Sequence, residues 1–137
     1  MTYFLDELKP GMAETLTNVV SERTIAAFGE ATGDMNPVHF DEAYAQGTVF
    51  NGRIAHGLLA AGFMSAVMGT RIPGPGTIVQ SFSTRFRAAV RIGDTVVTTC
   101  TVRKIVKQSV ILDCVCKVGD TVVVEGEAIV LAPKRPV

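Results

Sequence analysis

The feature that most restricts the fold is an apolar segment, residues 58–68, that has no polar face when it is drawn as a helix. It follows His56 and Gly57 and ends at Gly69. A helix that is apolar on every side must be buried on every side. From His56 to Gly69, at 1.5 Å per residue, the helix spans only about 21 Å, which is less than the roughly 30 Å hydrocarbon core of a bilayer. The pattern therefore predicts a buried core helix and not a membrane span.

Four segments rich in Val, Ile and Thr follow a Pro-Gly-Pro-Gly break at residues 73–76, and they span residues 77–90, 95–106, 109–118 and 121–131. Short turns separate them at Gly93-Asp94, Lys107-Gln108 and Gly119-Asp120. Strands joined by such tight connections are typical of an antiparallel meander. This sheet is expected to wrap around the apolar helix in an α+β arrangement of the hot-dog type, and a flatter α+β layer sandwich is the rival. A small sheet also leaves edge strands and apolar surface exposed, and a homodimer is expected to cover them.

The residues before the apolar helix predict a short strand, a helix and a turn. Residues 15–20 have a strand-like composition. Ser21 is a suitable N-cap for the following helix, and Gly33 is a suitable end for it. Pro37 disfavours helical geometry in the residue before it, so a turn is expected at residues 34–37. One further helical turn and a loop complete this part, at residues 41–45 and 47–53.

Composition favours one globular domain and excludes several kinds of partner. The chain has 137 residues, of which 47% are hydrophobic and 19% charged, and its formal net charge is zero. This length fits a single domain over residues 1–137 with one core. No basic patch is interleaved with aromatic residues, so neither nucleic acid nor a membrane is an expected partner.

The three cysteines, Cys100, Cys114 and Cys116, favour a reducing, cytoplasmic setting. Their number is odd, and the start of the chain has no basic segment followed by a long apolar run. Cys114 and Cys116 alternate within a strand-like run, so both side chains are expected to face the sheet side that forms the core. No metal site is expected there. No cofactor is expected either, because the chain has no Gly-rich phosphate loop and no HExxH motif.

The strongest functional signal is the stretch Gly33-Asp34-Met35-Asn36-Pro37-Val38-His39. It places a carboxylate, an amide and an imidazole on one turn that a proline stiffens. A carboxylate and an imidazole held together can position and activate a water molecule. Asp34 and His39 are therefore the predicted catalytic pair, and the alternative is that both serve only the turn and a helix end. Asn36 is interpreted as a support for this loop.

The start of the apolar helix predicts a second element of the site. Its first backbone N–H groups have no intrahelical acceptor and lie at the positive end of the helix dipole, where they stabilise a developing oxyanion. Gly57 has no side chain to block approach, and the alternative is a glycine required by packing. His56 is either a ligand-facing group or a structural histidine. Ser65 lies roughly on the same helix face as Gly57, and the alternative is a hydroxyl bonded to its own helix.

These motifs together resemble the signature of the MaoC-like (R)-specific enoyl-CoA hydratases. The likeness extends from the Gly33–His39 stretch through Ile54-Ala55-His56-Gly57-Leu58-Leu59 to Gly93-Asp94 and Gly126-Glu127-Ala128, nearly the whole chain. It implies a hot-dog fold, a homodimer or higher homo-oligomer, and an acyl-CoA thioester substrate. The implied reaction is reversible syn hydration of trans-2-enoyl-CoA to (R)-3-hydroxyacyl-CoA. The resemblance assigns the water to Asp34 and His39, the oxyanion to the Gly57 N–H, and a place in the site to Ser65.

Other functions stay open on the sequence alone. Hot-dog thioesterases hydrolyse acyl-CoA but lack the Asp-x-Asn-Pro-x-His loop. Dehydration of a specialised 3-hydroxyacyl thioester is a further possibility, and so is acyl-CoA binding without catalysis, which the presence of both Asp34 and His39 disfavours. The larger side chains of the apolar helix are either core or the wall of an acyl pocket: Phe63, Met64 and Met68. None of the scattered cations is assigned to CoA phosphates: Arg53, Arg71, Arg85, Arg87, Arg91 and Lys104.

Overall fold

A five-stranded antiparallel sheet curls around one central helix. The computed structural model describes residues 1–137. The strands are β1 (Ala13–Val19), β2 (Ile78–Phe86), β3 (Thr95–Val106), β4 (Ser109–Val118) and β5 (Thr121–Leu131). The helices are α1 (Glu22–Thr32), α2 (Pro37–Phe40), α3 (Glu42–Gln46) and the central α4 (Gly57–Thr70), with a 3-10 turn at Leu5–Glu7. Since α4 packs against all five strands, the wrapped arrangement is confirmed over the flatter layer sandwich.

Several predicted boundaries agree with the structure because their signals are local. β3, β4 and β5 span the predicted residues. The N-cap of α1 is Ser21, whose hydroxyl accepts a hydrogen bond from the Thr24 N–H at 3.2 Å. The helix ends at Gly33, which has a φ of 79°. This left-handed conformation strains residues other than glycine, and it turns the chain into the loop that carries Asp34.

The prediction of a four-strand meander is wrong for β2. The order in the sheet is β1-β3-β4-β5-β2, so β2 pairs with β5 while β1 lies beside β3. The connection between β2 and β3, residues 87–94, is too long for a tight turn and crosses the end of the sheet. The Ala55 N–H donates a hydrogen bond to the Val90 carbonyl in this crossing at 2.7 Å. The crossing therefore comes to lie beside the start of α4.

The short helix α2 was not predicted from the sequence. Pro37 occupies its first position, where a missing N–H group costs no hydrogen bond. The Asn36 side chain accepts a hydrogen bond from the Val38 N–H at 3.2 Å and so caps the helix. His39 consequently stands on a helical turn and not on an extended loop.

The inner faces of the sheet and one side of α4 form a core cluster of 23 buried residues. Met64 and Met68 are fully buried, which confirms their interpretation as core and not as the wall of an acyl pocket. All three cysteines are buried and free, and the sulfur atoms of Cys100 and Cys114 lie 3.0 Å apart. The prediction that Cys114 and Cys116 are core side chains is confirmed.

The prediction that α4 is buried on every side is wrong for the single chain. One face is exposed and carries Leu58 followed by a row of small residues, Gly62, Ser65, Ala66 and Gly69. Leu58 is 60% exposed. The sheet of one chain wraps only the opposite side of α4. The apolar pattern of the helix therefore predicts more burial than one chain provides. None of the helices combines the length and the apolar character that crossing a membrane requires.

Candidate active site

A cavity of about 430 Å³ opens beside the N-terminus of α4 and collects most of the predicted site residues. Its polar side is lined by Asp34, His39, His56 and Gly57. Its apolar wall includes Phe50, Leu58, Phe86, Val90 and Val124. A concave, mostly apolar pocket with a few convergent polar groups is the usual form of a small-molecule site. The structure thus brings together four residues that the sequence places in two separate segments.

The His39 ring is held in one tautomer by a backbone contact. His39 is 7% exposed, and its Nδ1 lies 2.8 Å from the Ile54 carbonyl oxygen. A carbonyl oxygen only accepts hydrogen bonds, so Nδ1 carries the hydrogen in the neutral ring. The Nε2 lone pair is then left free to accept a proton. This atom is the candidate general base.

Burial lowers the pKa of His39 below its usual value of 6.5. The hydrogen bond to Ile54 acts in the opposite direction, a positive charge on His56 lowers the pKa further, and the Asp34 carboxylate raises it. Because desolvation penalises the charged ring most, burial favours the neutral form of His39. A neutral imidazole is the form that accepts a proton from water.

One carboxylate oxygen of Asp34 stabilises the turn through a hydrogen bond. Its Oδ1 accepts a hydrogen bond from the Asn36 N–H at 3.2 Å, which is the turn role proposed as the alternative. A ligand atom of Asp34 also lies within 4.8 Å of a ring nitrogen of His39 and of His56. A water molecule makes hydrogen bonds of about 2.8 Å, so one water fits between the carboxylate and a histidine at this separation. Both roles of Asp34 are therefore compatible.

Asn36 and Ser65 lie outside the cavity wall of the single chain. Asn36 caps α2 through its side chain, which agrees with its interpretation as a support. Ser65 stands on the exposed face of α4. The place of Ser65 in the substrate site stays a prediction. It requires that the exposed face of α4 be covered by something other than the sheet of the same chain.

Arg53 has a structural role that the sequence analysis missed. Its Nε donates to the His39 carbonyl oxygen at 2.8 Å, and its two terminal nitrogens bond the Glu22 carboxylate at 2.6 and 2.9 Å. The side chain is 16% exposed. Arg53 therefore anchors the backbone of α2 to α1 and is not a free surface cation. No sequence signal marks this role, because the acceptor is the backbone carbonyl oxygen of a residue 14 positions away.

Gly57 is a glycine because Phe86 occupies the space of a side chain. A Cβ atom on Gly57 would lie 2.8 Å from two atoms of the Phe86 ring, which is closer than non-bonded carbon atoms approach. Packing against Phe86 therefore accounts for the absence of a side chain at position 57. The amide of Gly57 still opens α4 on the cavity wall, where it has no intrahelical acceptor.

The side chains of Asp34, His39 and His56 lie close enough together to be considered as ligands of a metal ion. The His39 and His56 rings, however, are stacked with their centroids 3.9 Å apart and their planes inclined by 30°. An ion bound by two imidazoles lies in the plane of each ring, because the nitrogen lone pairs are in-plane. Stacked rings do not direct their lone pairs to one point, so this donor set does not fit a metal ion.

Comparison with known proteins gives consistent relatives over nearly the whole chain. Residues 8–127 match the family described as the MaoC like domain. The chain is 48% identical to an (R)-specific enoyl-CoA hydratase of Rhodospirillum rubrum over 135 residues, which are 97% of this chain and 94% of that protein. It is 45% identical to a 3-hydroxybutyryl-CoA dehydratase of Methylorubrum extorquens, covering 96% of this chain and 85% of that protein.

Solved structures show the same similarity in three dimensions. The chain superposes on an R-hydratase of Pseudomonas aeruginosa, in its unliganded form, with a TM-score of 0.90. The two sequences are 35% identical, and the match covers 98% of this chain and 88% of that one. The likeness therefore includes the central helix, the sheet and the loop that carries Asp34 and His39.

Proposed function

This chain belongs to the family of MaoC-like domains, and on that premise we propose that Asp34 and His39 share the water molecule of its reaction. The chain is an (R)-specific enoyl-CoA hydratase with the α+β hot-dog fold. As a hydro-lyase it interconverts trans-2-enoyl-CoA and (R)-3-hydroxyacyl-CoA. The observation that carries the residue assignment is the Asp34 carboxylate within 4.8 Å of a histidine nitrogen on the cavity wall.

The His39 ring is the proposed acceptor of the water proton. Its Nδ1–H donates to Ile54, so Nε2 is left with a lone pair. The Asp34 carboxylate accepts the second hydrogen of the water and so orients the oxygen lone pair towards the β-carbon of the substrate. The two groups act on the same water molecule. Each of them is therefore required for the attack.

Proton return completes the reaction and explains its syn course. As the water oxygen bonds the β-carbon, one O–H bond breaks and its proton goes to His39 Nε2. The electron pair of the C=C bond moves to the α-carbon and the thioester oxygen. His39 then gives the same proton to the α-carbon, which leaves both the hydroxyl and the new hydrogen on one face. The ring is again neutral, and no further reactant is needed.

The amide of Gly57 is the proposed donor to the thioester oxygen. It opens α4, so the positive end of the helix dipole lies where negative charge develops. The apolar wall formed by Phe50, Phe86 and Val124 suits the acyl chain of the substrate. The polar and apolar sides of the cavity thereby match the two ends of an enoyl thioester.

We also propose that two copies form a homodimer. β2 is an edge strand whose outer backbone groups are unpaired in the sheet, and its Ile78 and Val79 are 60% and 43% exposed. A second copy can pair with the same edge across a two-fold axis. The small residues on the exposed face of α4 permit close approach of the partner's helix. That contact would cover Ser65 and complete the burial that the apolar pattern predicts.

Sedimentation tests the dimer. The wild-type protein is expected to sediment as twice its 14.6 kDa chain mass. Ala66→Glu places a charge on the exposed face of α4 and is expected to shift the protein towards the monomer, because a buried unpaired charge is costly. Thr121→Glu, at the exposed first residue of β5, is the matched control and is expected to stay dimeric. A wild-type monomer would contradict the proposal.

The activity itself is tested with crotonyl-CoA. Loss of the enoyl-thioester absorbance is followed while the product is coupled separately to dehydrogenases specific for (R)- and (S)-3-hydroxyacyl-CoA. We expect loss of absorbance with product detected only by the (R)-specific enzyme. A parallel thiol assay distinguishes hydrolysis, since a hydratase releases no free CoA. Release of thiol without hydration would instead favour a thioesterase.

The pH dependence of kcat/KM is expected to report the state of His39. The base must be unprotonated, so activity is present above its pKa and is lost as pH falls through it. Because burial holds this pKa below 6.5, the acid limb is expected below 6.5. The titratable groups that face the ring are Asp34 and His56, and the Arg53–Glu22 pair lies behind its backbone. The check is kcat/KM measured from about pH 4.5 to 8; an acid limb above 6.5 contradicts the assignment.

A further inference from the structure

We propose that His56 is a positioning residue: it fixes the Asp34 backbone and the His39 ring relative to each other without exchanging protons itself. The inference rests on the proposed function, since it assigns His56 a role towards the Asp34–His39 pair. His56 is 2% exposed and occupies the position directly before the first residue of α4. Three observations carry the proposal.

The first observation is a hydrogen bond from the His56 ring to the backbone of Asp34. Nε2 of His56 lies 2.9 Å from the Asp34 carbonyl oxygen. The carbonyl can only accept, so Nε2 carries the hydrogen and donates it. The two residues are 22 positions apart in the chain. This bond therefore ties the Asp34 turn to the start of α4, where the Gly57 amide stands.

The second observation is the packing of the His56 ring. It stacks on the His39 ring at a centroid distance of 3.9 Å. It also packs against Phe28 at 4.6 Å and against Phe40 at 5.6 Å. A ring enclosed in this way has few other rotamers. His39 accordingly stacks on a ring whose orientation is restricted by its other packing contacts.

The third observation is a polar atom that packing alone does not explain. Nδ1 of His56 is buried and has no hydrogen-bond partner. A buried polar atom without a partner destabilises a fold, and a phenyl ring would fill the same space without that cost. The Nε2–H donor is what the imidazole supplies and phenylalanine lacks. The imidazole therefore destabilises the fold through its unpaired Nδ1, while its Nε2–H holds the Asp34 carbonyl oxygen.

The matched variants His56→Phe and His56→Gln separate the donor from the ring. Phenylalanine keeps an aromatic ring against His39 but has no donor, whereas the glutamine amide offers an N–H at the reach of Nε2. For His56→Phe we expect kcat to fall by about 10²-fold, the usual effect of a small misplacement of catalytic groups. KM for crotonyl-CoA is expected to stay close to the wild-type value. His56→Gln is expected to recover much of the lost kcat.

Each outcome has a distinct meaning. Wild-type kcat in His56→Phe would overturn the positioning role and leave the Asp34–His39 assignment untouched. Equal losses in both variants, with unchanged melting temperatures, would show that the donor is not what matters and would also overturn it. Failure of the proposed function itself is a separate result, because it appears as normal turnover in Asp34→Asn. Circular dichroism and melting curves accompany every variant.

A measurement on the wild-type protein tests the proposal even where a variant does not fold. The chain has only two histidines, so their side-chain ¹⁵N signals are readily assigned by comparing the wild type with one variant of either residue. The proposal requires opposite neutral tautomers: hydrogen on Nε2 of His56 and on Nδ1 of His39. Hydrogen on Nδ1 of His56 would mean that no bond to Asp34 exists, and the proposal would be discarded.

Discussion

Asp34→Asn is expected to lower kcat for enoyl-CoA hydration by about 10²–10⁴-fold, the range that positioned acid–base groups contribute. The substitution keeps the shape of the side chain. The amide oxygen of the introduced asparagine can still accept the Asn36 N–H that Oδ1 of Asp34 accepts, so the turn is preserved. What the substitution removes is the negative charge and one acceptor for the water hydrogen. Stopped-flow or steady-state loss of crotonyl-CoA absorbance measures the effect.

The control for this variant is Asp120→Asn, which makes the same chemical change on the exposed β4–β5 turn. It is expected to have wild-type kcat, KM and melting temperature. Combining Asp34→Asn with His39→Gln is expected to cost little more than the worse single variant, because groups that act on one water are not additive. Normal turnover in a folded Asp34→Asn protein would remove Asp34 from the mechanism. Fully additive losses would show instead that the two residues act separately.

The elements that could be predicted from the sequence are those whose signals lie within a few residues. Ser21 and Gly33 bound α1 through contacts inside that helix, and their residue types report those contacts directly. β3, β4 and β5 follow one another through tight turns, so pairing and sequence order agree. The Asp34–His39 pair belongs to the same class, since both residues lie on one turn and one short helix.

The elements that could not be predicted depend on contacts between distant segments. No local pattern states that β2 pairs with β5 rather than β3, because that choice is made by the whole sheet. The exposed face of α4 carries the pattern of a buried helix, and a single chain does not contain what buries it. The sequence pattern does not predict α2, because Pro37 disfavours helical geometry in the residue before it, although proline is well tolerated as the first residue of a helix.

The supporting contacts of the site show the same limit. His56 bonds the Asp34 backbone across 22 residues, and Arg53 bonds the His39 backbone across 14. In both cases a side chain donates a hydrogen bond to a backbone carbonyl oxygen. Every residue has such an oxygen, so the residue types do not reveal which one is the acceptor. The tautomer of His39 likewise follows from the Ile54 carbonyl and not from any residue type. The proximity of Asp34 and His39 could therefore be predicted from the sequence, whereas the contacts that orient the two side chains could not.

Gly57→Ala is expected to lower kcat by about 10²–10³-fold, which is the cost of losing one oxyanion donor. The added methyl group would lie 2.8 Å from the Phe86 ring, so either the ring or the start of α4 must shift. A shift of α4 moves the Gly57 amide away from the thioester oxygen.

Phe86→Ala provides a rescue that tests whether crowding by the Phe86 ring causes the loss of turnover. It removes the ring atoms that crowd the new methyl group, and Phe86 is already 52% exposed. If displacement of the amide causes the loss, the double variant Gly57→Ala/Phe86→Ala should regain kcat relative to Gly57→Ala, with Phe86→Ala alone as reference. Gly47→Ala is the control substitution, since its Cβ meets only the Tyr44 carbonyl at 3.4 Å. Unchanged turnover in a folded Gly57→Ala protein would count against the oxyanion role. It would mean that the backbone at the start of α4 can be displaced without loss of transition-state stabilisation.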